Sequence, residues 1–495
     1  MFESTVHAPE ELRTLGDAAL VDAITASART AAAVQAHHLA AIAELARRRL
    51  AGAQHPRWAC DDWDSAAAEI GCALTIKHGR ALSLMERART LADELPKVGA
   101  LFLAGRISAP TAMTIVARTT LITDPDARAE VDAEIAAKVT RWGPLSQLKL
   151  ETTIDAIIDT VDPDAVRRTQ RTRIDRQITI GDPRNDDNDL STIWGRISAV
   201  DAALLDETLT AMAKNVCDDD PRTLAQRRAD ALGALAAHAD RLVCACDNPT
   251  CPAKTGTHPA AHVTIHIVTN HIVTNAPVNT VPGPAPAAPG ARPTAVIPGR
   301  GFVSAETVAD LITHGATIRR VATPTAADPE RRYRPSARLD EFVRTRDLTC
   351  RWPGCERPAT KSDIDHSNPW DDGGHTHPSA LNDKCRLHHL LRTFWDDWTE
   401  VQHPDGRITI TSPTGHSYTS APFSRVLFPG WDTNTGPAPP PGKPRRKRRS
   451  GRTLMMPARK QPRANSRARR IAAERARNHA AILAEDPGRF DPPPF

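Results

Sequence analysis

The sequence predicts a mainly α N-terminal domain, a small zinc-stabilised α+β domain after it, and a disordered basic tail. Three observations carry this. Residues 8–240 are rich in Ala, Leu, Arg and Glu, poor in Gly, and repeat apolar side chains at helical spacing. Six of the nine cysteines fall in two groups, Cys244, Cys246 and Cys251, then Cys350, Cys355 and Cys385, a pattern that suits metal binding better than a disulfide framework. From Lys443 to Arg477 fifteen Lys or Arg face only Glu474, a local charge of +14, so the other 460 residues carry −9 of the net +5. At roughly 150 residues per domain, 495 residues suggest two to four domains, with enough chain to fold without disulfides.

Composition excludes several classes. With 25% charged and 40% apolar residues the chain is ordinary for a soluble protein. No run approaches the roughly 18 apolar residues of a membrane span, so no membrane partner is expected. Met1-Phe2-Glu3-Ser4 does not begin a basic segment followed by an apolar run, and a cytoplasmic location is the expectation.

In the helical region, Leu39, Ile42, Ala46 and Leu50 lie at i, i+3, i+7 and i+11, one apolar stripe, and Leu205, Leu209 and Met212 make another. Asp17 after Gly16 suits a helix start. Leu101 to Val116 reads helix, turn, helix, with Gly105 ending the first and Ser108-Ala-Pro110 opening the second. DNA-reading motifs share that outline, but so does any αα-hairpin, the commoner use. Residues 241–332 form a connecting region. Val263 to Val268 is a strand candidate, His266-Ile-Val-Thr-Asn270 repeats at once as His271-Ile-Val-Thr-Asn275, seven prolines between Pro277 and Pro298 mark a linker, and a short helix is expected near Ser304–Ile312. Residues 333–431 hold 11 of the 20 aromatics, the mark of a second core, and residues 432–495 form the tail.

The chemistry concentrates in that second core. Cys350-Arg-Trp-Pro-Gly-Cys355 brackets a turn, and Cys385 and His388 share a helix face at i, i+3. Together they make a Cys₃His set for tetrahedral zinc, against the alternative of three reduced buried thiols. Asp363-Ile-Asp365-His366 and His389 offer a second centre. His389 lies about 100° around the helix from His388 and faces elsewhere. A carboxylate and an imidazole suit a divalent cation, and a neighbouring His suits a general base toward water.

In their order, Cys-x₄-Cys, Asp-His and Cys-x₂-His-His resemble an HNH endonuclease domain of the ββα-metal type. The resemblance spans about residues 335–425 and includes Arg346-Asp347-Leu-Thr-Cys350, Gly373-Gly374, Leu390-Leu-Arg-Thr-Phe-Trp395 and a hairpin around Pro404-Asp-Gly406. The helical part resembles the domain of unknown function that actinobacterial proteins often carry ahead of such a nuclease. The resemblance implies a metal-dependent DNA endonuclease with His366 as the general base. Asp365 and His389 would hold a catalytic Mg²⁺ or Mn²⁺, and Cys350, Cys355, Cys385 and His388 a structural Zn²⁺. It also implies a β-hairpin bearing Asp365-His366, followed by a helix. One departure stands out. The family's middle Asn falls on Ala380, and Asn382 is the nearest substitute. A non-catalytic, zinc-stabilised nucleic-acid-binding protein is therefore the second reading, and a helical interaction protein with a structural zinc module the third.

Two features remain. Cys244-x-Cys246-x₄-Cys251 lacks a fourth ligand for a second zinc unless His258 or His238 supplies it, and a surface cysteine cluster is the alternative. The tail, with Arg445-Arg-Lys-Arg-Arg449 and a basic helix candidate over Ile471–Leu483, suits DNA phosphates bound without sequence preference. Trp352, Trp370, Trp395 and Trp398 are assigned to the core around the zinc rather than to base stacking.

Overall fold

A computed structural model describes residues 7–53, 55–166, 176–181, 190–256, 258–269, 295–297, 301–324, 328–445 and 456–486. The chain divides into two units. The first comprises Met1–Gln170, Leu390–Trp398 and Arg449–Phe495; the second comprises Arg171–His389 and Thr399–Arg448.

The first unit is helical. Its longest element, Asp17–Leu50, runs about 51 Å at 1.5 Å per residue. Leu39, Ile42 and Ala46 are buried along it, as their spacing predicts. Gly16 is the N-cap, and Asp17 sits one residue inside, where a carboxylate suits the positive end of the helix dipole. Helices Pro96–Leu103 and Ala109–Arg118 form the predicted pair. Ser108 caps the second by accepting the Thr111 N–H. Gly105 between them has φ +65°, and a Cβ there would meet the Arg29 carbonyl oxygen at 2.6 Å, so glycine is required on both counts. Phe102, Ile115, Val131, Ile135 and Ile154 join one apolar cluster that runs through all these helices. The Leu101–Val116 turn therefore packs into a core.

The tail departs from expectation. Residues Arg463–Glu485 form a 23-residue helix rather than a disordered segment. Ile471 packs on the main apolar cluster and Ile482 is buried. These two lie eleven residues apart, three helical turns, hence on one face. Arg475 donates to Asp162 at 2.6 and 3.0 Å, and Arg463 donates to Asp61 and Asp64 at 3.2 and 2.7 Å. Composition reads such a segment as repelling itself; the acids that answer it lie 300–400 residues away in the chain.

The second unit mixes helices with short strands. Helices Ala199–Lys214 and Leu224–Ala236 continue the helical region, and Met212 is buried with Ala231 and Ala234. The helical reading fails just before them. Gln177–Ile180 and Ile193–Arg196 form an antiparallel hairpin, with Ile178 opposite Gly195. Strand Thr264–Thr269 matches expectation and runs parallel to Thr317–Ala322; helix Ala305–Thr313, capped by Ser304, lies between them in sequence. Ala295–Ile297 pairs with Gly301–Val303. The second repeat copy, the rest of the linker and most of the Arg445–Arg449 cluster lie outside the described residues.

Around the cysteine-rich segment, Asp363–His366 pairs antiparallel with Leu381–Lys384, and helix Arg386–Phe394 follows at once. Strands Thr399–Gln402, Ile408–Thr411 and Ser417–Ser420 form an antiparallel sheet, its first turn closed by Gly406 at φ +81°. Below the hairpin lie buried charges. Arg346 is fully buried and donates to the carbonyls of Pro378 and Leu381, both at 2.7 Å, and to Asp347 at 2.8 Å. Asp347 also accepts the Asp383 N–H at 2.9 Å and Arg351 at 3.1 Å. The Arg346-Asp347 pair thus fixes strand Leu381–Lys384 from below.

Candidate metal and catalytic centre

The first cluster is built by a turn and a helix start. Cys350 donates its N–H to Arg357 O at 2.7 Å, and Cys355 donates its N–H to Trp352 O at 3.0 Å; Gly354 at φ +73° closes the turn between the two thiols. Cys385 lies between strand Leu381–Lys384 and helix Arg386–Phe394, and His388 lies in the first turn of that helix. The four ligand atoms of Cys350, Cys355, Cys385 and His388 lie within 4.8 Å of one another. His388 Nδ1 is 3.5 Å from the Cys350 sulfur and 3.2 Å from that of Cys385. Edges of a zinc–thiolate tetrahedron are about 3.8 Å, so the donor set is of the right size and chemistry for a metal ion such as zinc. Hydrogen bonds from Cys350 and Cys355, with His388 beside it, drive the Cys385 thiol well below its usual range. Burial and the neighbouring thiols push Cys350 up. A divalent cation would relieve this uneven sharing of protons. Trp352 stacks on His388 with ring centres 4.8 Å apart and planes 7° apart, beside the cluster as expected, whereas Trp370 packs on His366 and Trp395 on Trp58 instead.

The second centre lies on the hairpin and the same helix. His389 Nε2 is 3.5 Å from Asp365 Oδ1, while its Nδ1 is 2.9 Å from Asp363 Oδ2. A carboxylate on the far nitrogen is the usual device that orients a ligating imidazole. Asp365 and His389 thus come together as the resemblance implies, and Asp363, whose role no spacing announces, positions the ring.

His366 is buried against Tyr333, stacked at 5.3 Å, and Trp370, at 5.6 Å. Its Nε2 is 3.0 Å from Thr376 Oγ1. The Thr376 hydroxyl donates to the Arg332 carbonyl at 2.5 Å. That hydroxyl has one proton and spends it there, so its oxygen accepts from Nε2–H. The tautomer follows: Nε2 carries the proton and Nδ1 carries the lone pair. Burial lowers the pKa of His366 to about 4, so the ring is neutral near pH 7. Thr376 and Arg332 gave no signal in the sequence.

Asn382 is opposite Asp365 in register and fully buried. Its amide donates to Ser367 at 2.9 Å and Glu400 at 2.8 Å, and its carbonyl accepts from Lys384 at 2.6 Å. Lys384, also fully buried, lies 2.8 Å from Glu400 and 3.3 Å from Asp365. Ala380 keeps only backbone links, its carbonyl accepting the Ser367 N–H.

The second cysteine group gains its fourth member from an unexpected place. Cys217, Cys244, Cys246 and Cys251 have their sulfurs within 4.8 Å of one another. Neither His238 nor His258 belongs to that cluster. His258 Nδ1 instead accepts the Ala260 N–H, and its ring stacks on His314.

Taken together, these features define a mainly helical protein with two Cys-rich clusters, each able to hold a metal ion such as zinc, and no described helix long and apolar enough to cross a membrane. The family profile "Domain of unknown function (DUF222)" matches residues 26–347, and the chain belongs to that family. Uncharacterized protein Rv3776 of Mycobacterium tuberculosis (strain ATCC 25618 / H37Rv) is 49% identical over 486 residues, 96% of this chain and 93% of the relative. Uncharacterized protein Rv2100 of the same strain is 47% identical over 520 residues, 100% and 93% of the two chains. No solved structure matches. The family match reaches past the predicted helical domain and stops three residues before Cys350, so it encloses the second cluster and not the first.

Proposed function

We propose that the chain is a metal-dependent endonuclease acting on DNA, with its active site on the Asp363–His366 hairpin and the helix after it. The observation that carries this reading is the state of His366: neutral, with Nε2–H held by Thr376 and the lone pair on Nδ1. A neutral ring with a lone pair can take a proton from water, while a pKa held at about 4 by burial makes it a weaker base than one poised near pH 7. Asp365 and His389 would hold Mg²⁺ or Mn²⁺, which when bound neutralises charge on the scissile phosphate and the leaving oxygen. Asp363 keeps the His389 ring turned toward Asp365, and the Arg346-Asp347 pair fixes the strand behind them. The four-ligand cluster at Cys350 holds the turn and the helix start in place as a structural zinc site. Attraction to phosphates by exposed arginines such as Arg469, Arg470 and Arg477 supports DNA as the partner.

The test is plasmid nicking by the purified full chain with Mg²⁺ or Mn²⁺. Cleavage is expected to vanish with EDTA and in His366→Ala, while both proteins still bind DNA. Equal cleavage by His366→Ala removes the base from the assignment. The second reading, a nucleic-acid-binding protein with a degenerate site, is favoured by Lys384. Its ammonium lies 3.3 Å from the carboxylate that a cation would need. That reading predicts salt-sensitive DNA binding with no cleavage under any divalent metal.

A further inference from the structure

We propose that Cys217, Cys244, Cys246 and Cys251 form a closed, four-thiolate structural zinc site. The cluster lies in the second unit, outside the nuclease-like segment, and the proposal does not depend on the endonuclease reading.

The local structure is built around the sulfurs. Cys217 lies in the turn after helix Ala199–Lys214, and the other three lie in the loop after Leu224–Ala236. Cys244, Cys246 and Cys251 are buried and Cys217 is partly exposed. The Cys217 and Cys244 sulfurs are 3.4 Å apart, too far for a covalent bond of about 2.05 Å and close to the edge of a zinc–thiolate tetrahedron.

A second layer locks the two loops. Asp220 accepts the Ala245 N–H at 2.9 Å and the Arg222 guanidinium at 2.6 Å, and Arg222 donates to the Val243 carbonyl at 2.9 Å. Four thiolates without a cation would repel one another at these distances. Four protein ligands fill a tetrahedron and leave no open position, so the site is structural and not catalytic. It would clip the ends of the two helices together where Met212, Ala231, Ala234 and Leu242 make only a small apolar cluster.

Zinc content of the full chain, purified without added metal, tests the proposal. The parent protein is expected to carry two zinc ions per chain. Cys217→Ser is expected to carry one, and Cys217→His two, because imidazole can replace a thiolate at zinc. Plasmid nicking is no readout here, so a chain that binds two zinc ions and cuts nothing would defeat the endonuclease reading and leave this one standing. If Cys217→Ser does not fold, cobalt(II) substitution of the parent protein decides the matter. Absorption from sulfur-to-cobalt charge transfer should then equal seven thiolates over two sites, four here and three at Cys350. Zinc content unchanged by Cys217→Ser, cobalt absorption from three thiolates only, or a Cys217–Cys244 disulfide in the native protein by mass spectrometry would each overturn it.

Discussion

The two units bury different things. In the first, one apolar cluster runs from Ala32 to Ala165 through every major helix, and the buried charged side chains among its described residues are all acids: Asp61, Asp64, Glu69, Asp132 and Asp162. Each is answered by an arginine or by backbone N–H groups; Asp132, for instance, accepts from Lys97 N and Val98 N at 2.9 and 3.0 Å. The second unit buries cations outright. Arg346 and Lys384 are fully enclosed, Arg351 nearly so, and eight candidate metal ligands sit in two clusters. Hydrophobic burial stabilises the first unit directly, at roughly 25 cal/mol per Å². The second has a smaller apolar cluster around Leu339, Phe342, Val343, Leu381 and Trp431 and sets buried charges and thiols beside it, which are stable only while every partner is present.

The sharpest way to break this contrast is to remove metal. Chelation of the full chain, or Cys385→Ser, should unfold the segment around residues 335–425, because a structural zinc site can contribute on the order of 10 kcal/mol to its domain. Limited proteolysis should then cut within the second unit, while far-UV dichroism retains the helices of the first. Cuts spread evenly over both units would show that the two are not stabilised differently. Next in size are two substitutions of similar cost and different cause. Phe102→Ala opens a cavity in the first core and should cost about 3–5 kcal/mol in its thermal transition. Arg346→Met strands Asp347 without its closest cation and should cost a comparable 3–5 kcal/mol in the second. The double variant Arg346→Met with Asp347→Asn should cost less than the sum of the two single changes, which a cavity pair far apart would not do.

That contrast also decides what could be read without coordinates. Leu39, Ile42 and Ala46 announce a buried stripe because apolar packing leaves a period in the sequence. Cys350, Cys355, Cys385 and His388 announce a cluster because their ligands come in short-spaced pairs. Cys217 announces nothing: it stands 27 residues before Cys244, and only the return of the chain after Leu224–Ala236 brings it back. Thr376 and Asp363 were equally silent, since each acts on a histidine through one hydrogen bond that no spacing records. Lys384 reads as a surface residue because lysines usually are, and it is buried because Glu400, Asn382 and Asp365 converge on it. The hairpin Gln177–Ile180 with Ile193–Arg196 leaves no signal because its strands are four residues each, too short to outweigh the helical composition around them.

The smallest expected effect concerns the tail helix, where the buried acids of the first unit meet arginines. Asp64 lies 2.7 Å from Arg463, 2.8 Å from Arg459 and 3.0 Å from His78. Burial raises its pKa, but the bond to His78 and the charges of Arg463 and Arg459 outweigh burial and hold it at about 2, below the ordinary 3.8. A depressed carboxylate stabilises the fold fully above its unfolded pKa and loses that contribution as pH falls through its folded value. The contribution, on the order of 2 kcal/mol, is therefore intact above about pH 4 and fades toward pH 2. Asp61 acts in the opposite sense, because burial raises its pKa despite the bond to Arg463. Acid should thus relieve Asp61 before it undoes Asp64. Hydrogen exchange of Arg463–Glu485, measured against Asp17–Leu50 in the same unit, should show tail protection steady down to about pH 4 and falling selectively below it. In Asp64→Asn that selective fall should be absent. If tail protection instead stayed level below about pH 4, or fell equally in Asp64→Asn, its docking would not rest on that buried carboxylate, and the first unit would owe less to its acids than the contrast with the second requires.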